Sequence, residues 1–186
     1  HLRLKIPALN QALVGRFTAH HAFLVDLHLK LIDQHTAAIS VLTARIEEAM
    51  IPFRTARDLI ASIPGIGVPT ADVIIAETGA DMSVFPTAGQ LASWAGVCPG
   101  HHESAGRAKS SKTRPGNRWL KGALGVAALS IARHPGTFLN AKYRRLAKTR
   151  GKAKAVVAIE HALLVLVWLE CSRKSGGVVY AASSWM

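Results

Sequence analysis

Residues Asp58 to Gly79 read DLIASIPGIGVPTADVIIAETG. An apolar segment with Leu59, Ile60 and Ile63 at helical spacing breaks at Pro64-Gly65-Ile66-Gly67, and a second begins near Pro69 and stops at Gly79. Two glycines in so short a break let the backbone turn tightly. Amides of the turn and of the second helix's N-terminus then point outward, where they can hold a phosphate oxygen. Gly65, Ile66 and Gly67 are the candidate phosphate-binding residues of this turn. The competing reading is a helix-turn-helix corner whose glycines serve packing alone.

The pattern of residues 58–79 resembles a helix-hairpin-helix motif, which implies grip on the DNA backbone without regard to base sequence. Asp72, Glu77 and Asp81 in and after the second helix do not make a metal cluster, because Asp72 and Glu77 stand five apart and point in different directions. They are expected to be solvated, with Asp72 favoured near the positive end of its helix.

Upstream, Ala22, Val25, Leu29, Ile32, Thr36, Ile39, Thr43, Ile46, Met50 and Phe53 alternate steps of three and four, the spacing of a heptad seam. This predicts one long helix from near Asn10 to just before Pro52, since proline lacks a donor and biases its predecessor away from helix. Leu24, Leu27, Leu31, Ala38 and Leu42 add a second apolar strip, so the helix must pack on something. A coiled-coil arm joining protomers and an ordinary helix lying on its own domain are both open readings. His21, His28 and His35 recur every seven residues and share a face, where they read as a solvated stripe and not as metal ligands.

Downstream, Phe85-Pro86-Thr87 opens a short helix, with Thr87 and Gln90 spaced as a capping box and Gly96 as its stop. Three further helices follow over 119–133, 137–150 and 152–171, punctuated by Pro135-Gly136 and Gly151. The only weak strand candidate is Val178 to Tyr180. The predicted fold is all-α, with a helical arm over residues 1–54 and a compact helical domain over 55–186. Within that domain the stretch from Pro99 to Arg118, PGHHESAGRAKSSKTRPGNR, reads as a basic loop.

Composition narrows the partner. The chain of 186 residues holds 23 Lys and Arg against 11 Asp and Glu, a net charge of +12, while 49% of its residues are apolar. It therefore folds and favours a polyanion. The charge is local: between His101 and Lys154 the only carboxylate is Glu103, among many lysines and arginines. That concentration argues against a packaging protein with charge spread over its whole surface. Two cysteines, Cys98 and Cys171, in no zinc-like spacing, exclude a disulfide framework or a structural zinc and fit a reducing cytoplasm. No signal-peptide pattern opens the chain, and the longest apolar run, from Ala155, is interrupted by Glu160 and His161, so it reads as a core helix and not a membrane span. A start at His1 suggests a piece of something longer.

The basic stretch raises a question of chemistry. Cleavage of a phosphodiester by a protein nucleophile needs a hydroxyl, a route for its proton and positive charge for the transition state. Ser104 has His101, His102 and Glu103 before it and Arg107 and Lys109 after it, with Ser110 and Ser111 as competing hydroxyls. Arg107, Lys109, Lys112, Arg114 and Arg118 are the candidate strand-holding cations. On the residues alone this is a nucleic-acid grip and not a reaction.

The segments IPGIG, FPTAGQLASWAGVCPG, ESAGRAK and RPGNRWLK, in this order from Ile63 to Lys121, resemble the C-terminal domain of the insertion-sequence one-ten family of transposases, also described as bridge-RNA-guided recombinases. The resemblance extends more weakly to AIEHALLVLVW near the end. It implies a longer enzyme whose RuvC-like domain, absent here, carries carboxylates for Mg²⁺, joined by a helical connector to a domain that supplies a serine nucleophile. The matching serine is Ser104, with Ala105 where the family pattern generally has glycine. No metal ligand is expected in this chain, and the fragment alone is expected to be inactive. The implied partners are DNA, a guide RNA and a second copy through the N-terminal helix, in the cytoplasm and on the nucleoid, with no membrane. The alternative is a non-catalytic helix-hairpin-helix DNA-binding module of a repair or recombination protein.

Overall fold

The computed structural model describes residues 3–15, 17–100, 102–104, 107–110 and 112–175, with backbone alone at 3, 102–104, 107–110 and 174–175. The chain divides into two compact units, residues 1–51 and 52–186.

In the first unit a 3-10 turn at Arg3–Lys5 leads into α1 (Ile6–Leu13), and α2 runs from Ala19 to Met50. The expected single helix from Asn10 is therefore interrupted. Gly15 takes φ +75°, a left-handed conformation that a helix cannot continue through. Thr18 then caps α2, its backbone N–H donating to Nδ1 of His21 at 3.1 Å. That assigns His21 to the helix start, apart from the histidine stripe. The far end falls where Pro52 demands, with α2 closing at Met50 and a 3-10 turn at Ile51–Phe53. The 32 residues of α2 bury none of their side chains. Leu29, Ile32 and Ile39 on the seam stay more than half exposed.

The second unit is built from α3 (Arg54–Ala61), α4 (Val68–Thr78), a 3-10 turn at Met82–Val84, α5 (Ala88–Trp94), a short ribbon, α6 (Arg118–Arg133), α7 (Phe138–Arg150) and α8 (Lys152–Ser175). α8 is its axis, packed against α3, α5, α6 and α7. Ile159, Leu163, Leu164 and Val167 are fully buried on it, as are Ile60, Leu91, Leu120 and Leu124 on its neighbours. Each such side chain contributes about 1.5–3 kcal/mol by leaving water. By length and composition alone Lys152–Arg173 could cross a membrane. Its burial within the unit makes it the core helix expected from the interruptions at Glu160 and His161.

The expected Thr87–Gln90 capping box and Gly79 stop form, and Thr137 adds a cap that was not expected. Thr87 Oγ1 accepts from the Gln90 amide while the Thr87 amide donates back to Gln90 Oε1. Gly79 ends α4 at φ +66°, and Thr137 Oγ1 accepts from the Asn140 amide to open α7. Asn140 is itself buried, and its Nδ2 donates to the carbonyls of Ile131 and Ala132, closing the end of α6.

The described residues are all-α apart from one feature that the sequence does not announce. The basic stretch is not an open loop: β1 (His102–Ser104) pairs antiparallel with β2 (Arg107–Ser110) in the register Ser104 to Arg107, Glu103 to Ala108 and His102 to Ser110, with an irregularity between His102 and Glu103. Below the ribbon, Pro99 and Thr113 form an isolated bridge, and the Gly100 amide donates to the Lys112 carbonyl at 3.1 Å. The weak strand candidate at Val178 to Tyr180 lies outside the described residues.

Candidate nucleic-acid interface

The turn between α3 and α4 is held by its own backbone: the Ile63 amide donates to the Ile60 carbonyl and the Ile66 amide to the Ile63 carbonyl. Ile63 and Ile66 are buried. Gly65 sits at φ +95°, and a Cβ there would collide with the side chain of Ile131 on α6. The three candidate residues of this turn thus divide. Ile66 spends its side chain on the core and its amide on the turn, and Gly65 is needed for packing against α6. Gly67, exposed and extended at φ −90°, caps α4, whose first turn leaves the Val68 and Thr70 amides without partners inside the helix.

The two helices are also tied by charge. Arg57 donates from Nε and a terminal nitrogen to the two oxygens of Asp72, at 2.6 and 2.8 Å, with both side chains about 14% exposed. Asp72 is therefore a structural partner, and not the solvated group its sequence position suggests. Glu77 is also paired, accepting from Asn117 Nδ2 at 2.5 Å across 40 residues of chain. Asp81 stays at the surface, where its carboxylate accepts from the Ser83 amide and side chain, which lowers its pKa.

Asn117 is the pivot of a clamp beneath the ribbon. Its Oδ1 accepts from the Trp119 and Leu120 amides at 3.0 and 2.9 Å, capping α6. Beside it the backbones of residues 95–96 and 114–116 cross almost in contact. A Cβ on Gly96 would lie 2.8 Å from the Gly116 nitrogen and 2.9 Å from the Arg114 carbonyl oxygen, and one on Gly116 would overlap the backbone of Ala95 and Gly96. Lys121 closes the clamp, donating from Nζ to the Gly96 carbonyl at 3.1 Å and to Thr113 Oγ1 at 2.9 Å. Both legs of the ribbon are thereby fixed to the junction of α5 and α6. An asparagine just after Pro-Gly and just before an apolar run is a helix-start signal, so the cap was readable. The crossing of Gly96 over Gly116 was not.

The described candidate cations, Lys112, Arg114 and Arg118, are exposed, and the Arg118 guanidinium lies 4.4 Å above the ring of Trp119. Ser104, Arg107 and Lys109 have their backbones in the ribbon, with Ser104 the last residue of β1 and paired to Arg107, the first of β2. Their side chains, and all of Ala105 and Gly106, lie outside the described residues. On α7, Arg144, Arg145, Lys148 and Arg150 are also exposed. Among the described residues no group of three or more His, Cys, Asp or Glu side chains could hold a metal ion. The buried ionisable groups lie in and around α8. Burial pushes the Glu160 carboxyl up, against an opposing pull from Lys121, and one of its oxygens has no hydrogen-bond partner. Burial raises the Cys98 thiol as well.

Residues 57–144, from within α3 into α7, match the Transposase IS116/IS110/IS902 family. Among curated proteins the chain is similar to the pilin gene-inverting protein of Moraxella bovis, 36% identical over 112 residues, 58% of this chain and 34% of that protein. It is similar also to an uncharacterized 42 kDa protein of insertion element IS900 from Mycobacterium paratuberculosis, 34% identical over 130 residues, 67% of this chain and 31% of the relative. A 43.6 kDa protein of insertion element IS110 from Streptomyces coelicolor is 40% identical over 74 residues, 39% of this chain and 18% of the relative. The chain spans about a third of the length of the first two relatives.

Proposed function

We propose that this chain is the DNA-binding, serine-bearing part of a transposase that cuts and rejoins DNA strands, with Ser104 as the nucleophile. The match to the transposase family, together with the similarity to a pilin gene-inverting protein, supports strand exchange as the reaction class. The observation that carries the assignment to this stretch is the clamp. The only ribbon among the described residues, ending its first strand at Ser104, is fixed by Gly96, Gly116 and Lys121 to a surface bearing Lys112, Arg114 and Arg118. A nucleophile needs such a rigid mount more than a solvated serine does.

In the proposed step the Ser104 oxygen bonds to phosphorus as one bridging P–O bond breaks. The hydroxyl proton passes to a base and the departing oxygen takes up a proton, leaving a serine-phosphodiester joined to one DNA end. Arg107, Lys109, Lys112, Arg114 and Arg118 hold the strand and offset charge on the phosphoryl oxygens. The turn before α4 takes a neighbouring backbone phosphate through Gly67 and the first turn of the helix, in the manner of a helix-hairpin-helix.

The residues described here do not form a metal site, so none is given a metal-binding role. Carboxylates for Mg²⁺ belong, in this proposal, to the two thirds of the relatives' length that the chain does not cover, and the isolated chain binds DNA without cutting it. A guide RNA and a second copy are the other partners, the second supported by the exposed seam of α2. The setting is the cytoplasm, at the nucleoid.

The test is capture of a protein–DNA adduct that survives denaturing electrophoresis, using the full-length enzyme that contains this chain. It should form with Ser104 and vanish in Ser104→Ala, while Ser110→Ala and Ser111→Ala retain it. An adduct undiminished in Ser104→Ala removes the serine from the chemistry. Salt-sensitive DNA binding with no adduct in any form assigns the chain to the non-catalytic module.

A further inference from the structure

Beside the stem of the ribbon lies a cavity of about 650 Å³, within the range of roughly 300–1,000 Å³ typical of small-ligand sites. Its charged lining comes from three separate elements: Lys112 from the stem, Lys142 from α7 and Lys154 from α8. No carboxylate lines it, and neither does any Phe, Tyr or Trp side chain. Most of the wall is apolar, with Val97 and Pro99 on one side and Val157 on the other. His161 completes it. Burial first, and the neighbouring Lys142 second, hold this imidazole below the ordinary histidine value. At neutral pH it is therefore uncharged, with one ring nitrogen donating and the other accepting.

A ligand that satisfies such a site carries a compact anion at one end and a flat, largely apolar body with polar edges at the other. A nucleoside phosphate has this form. Stacked duplex does not, because its bases present no free face, so the occupant must be unstacked before it enters. The cavity is also continuous with the ribbon. Pro99, Lys112 and Thr113 of its stem line the cavity.

We propose that this cavity receives one unstacked nucleotide of the strand gripped by the ribbon, its phosphate among Lys112, Lys142 and Lys154 and its base against Val97, Pro99 and Val157. The proposal rests on the DNA-binding reading and refines it. Removing one nucleotide from the stack would fix the strand's position relative to Ser104, a register that contacts to phosphates alone do not set.

The experiment titrates the chain into single-stranded oligonucleotides carrying 2-aminopurine at successive positions, and separately into free dAMP. With no Trp, Tyr or Phe in the lining to stack on the probe, the fluorescence should rise severalfold at one position and stay flat at the others. The Lys142→Gln/Lys154→Gln double variant should lose that rise, and its plot of log affinity against log salt should flatten by about 1.4, two lysines at roughly 0.7 each for a single strand. Ala158→Leu, which narrows the cavity without touching its charge, should abolish the rise while leaving the salt slope alone. Unchanged far-UV circular dichroism of each variant certifies its fold. A flat 2-aminopurine profile with salt-dependent binding intact overturns the cavity and leaves the DNA-binding reading standing. Binding of dAMP without any oligonucleotide signal overturns the strand as the source, and absence of DNA binding at low salt overturns both readings.

Discussion

Substitution of Gly116 by alanine tests the clamp directly. The new methyl would fall on the backbone of Ala95 and Gly96, and backbone atoms cannot swing aside as a side-chain tip can. Relief requires the end of α5 and the approach to α6 to move apart, an overpacking that costs about 1–3 kcal/mol. Gly96→Ala is crowded less closely, its nearest backbone atom 2.8 Å from the new carbon against 2.4 Å at Gly116, but it also places a β-carbon at φ +74°, which adds roughly 1–2 kcal/mol. Both variants should therefore be clearly destabilised. The double variant should cost less than the sum, because the separation that accommodates one methyl makes room for the other. Gly122 supplies the control. It lies in α6 with nothing within 4 Å of its Cβ position, so Gly122→Ala should stabilise by about 1 kcal/mol through helix propensity. Urea denaturation followed by tryptophan fluorescence is the assay, since Trp94 and Trp119 flank the crossing. A Gly116→Ala stability within about 0.5 kcal/mol of the parent, the range of ordinary surface substitutions, refutes the close approach as a structural requirement.

Other expectations follow from single features. Asp72→Ala should cost about 2 kcal/mol by removing the two charge-assisted hydrogen bonds from Arg57, and a double-mutant cycle with Arg57→Ala in the same denaturation assay should show coupling; additive losses would show that the pair does not couple. Glu160 has its pKa raised in the fold, so the folded chain binds the proton more tightly than the unfolded one, and stability drains away as pH climbs from 4.5 through the raised value. Glu160→Gln should thus be more stable than the parent at neutral pH, with the gain disappearing below 4.5; a variant less stable at neutral pH contradicts this. Arg114→Gln and Arg118→Gln should each flatten the salt dependence of duplex binding by about 0.9 without changing sequence preference, measured by fluorescence anisotropy. Ile39→Lys on the exposed seam of α2 should shift sedimentation equilibrium toward monomer, and a concentration-independent mass in the parent would remove α2 as the joining element.

Local chemistry made part of this fold legible. Proline at the end of α2, glycine at the end of α4, and the Thr87 to Gln90 capping box act within three or four residues, so their signals sit side by side in the chain. The start of α2 escaped because His21 plays the part that glutamate or glutamine takes in the usual capping box. The ribbon escaped for another reason. HESAGRAKS has no alternation of apolar and polar residues, and its pairing depends on a stem held by Lys121, which is eight residues from Thr113 and 25 from Gly96. Asp72 and Glu77 looked solvated because their partners, Arg57 and Asn117, lie 15 and 40 residues away. At the proposed site, the charge and the candidate serine were readable from composition and resemblance. The mount beneath them was not, since close approach of two glycine backbones leaves no mark on either local pattern.

Asn117 narrows what substitution can do at this point. Serine, threonine and aspartate are ordinarily interchangeable with asparagine at the head of a helix. Here the amide is used at both ends, its oxygen on α6 and its nitrogen on Glu77. Aspartate would keep the cap and bring a second negative charge against Glu77; serine or threonine would keep the cap and fall short of it. A position that looks permissive by helix chemistry is thus restricted to one residue type by a carboxylate on a different helix, and any drift at Glu77 would have to be matched at Asn117.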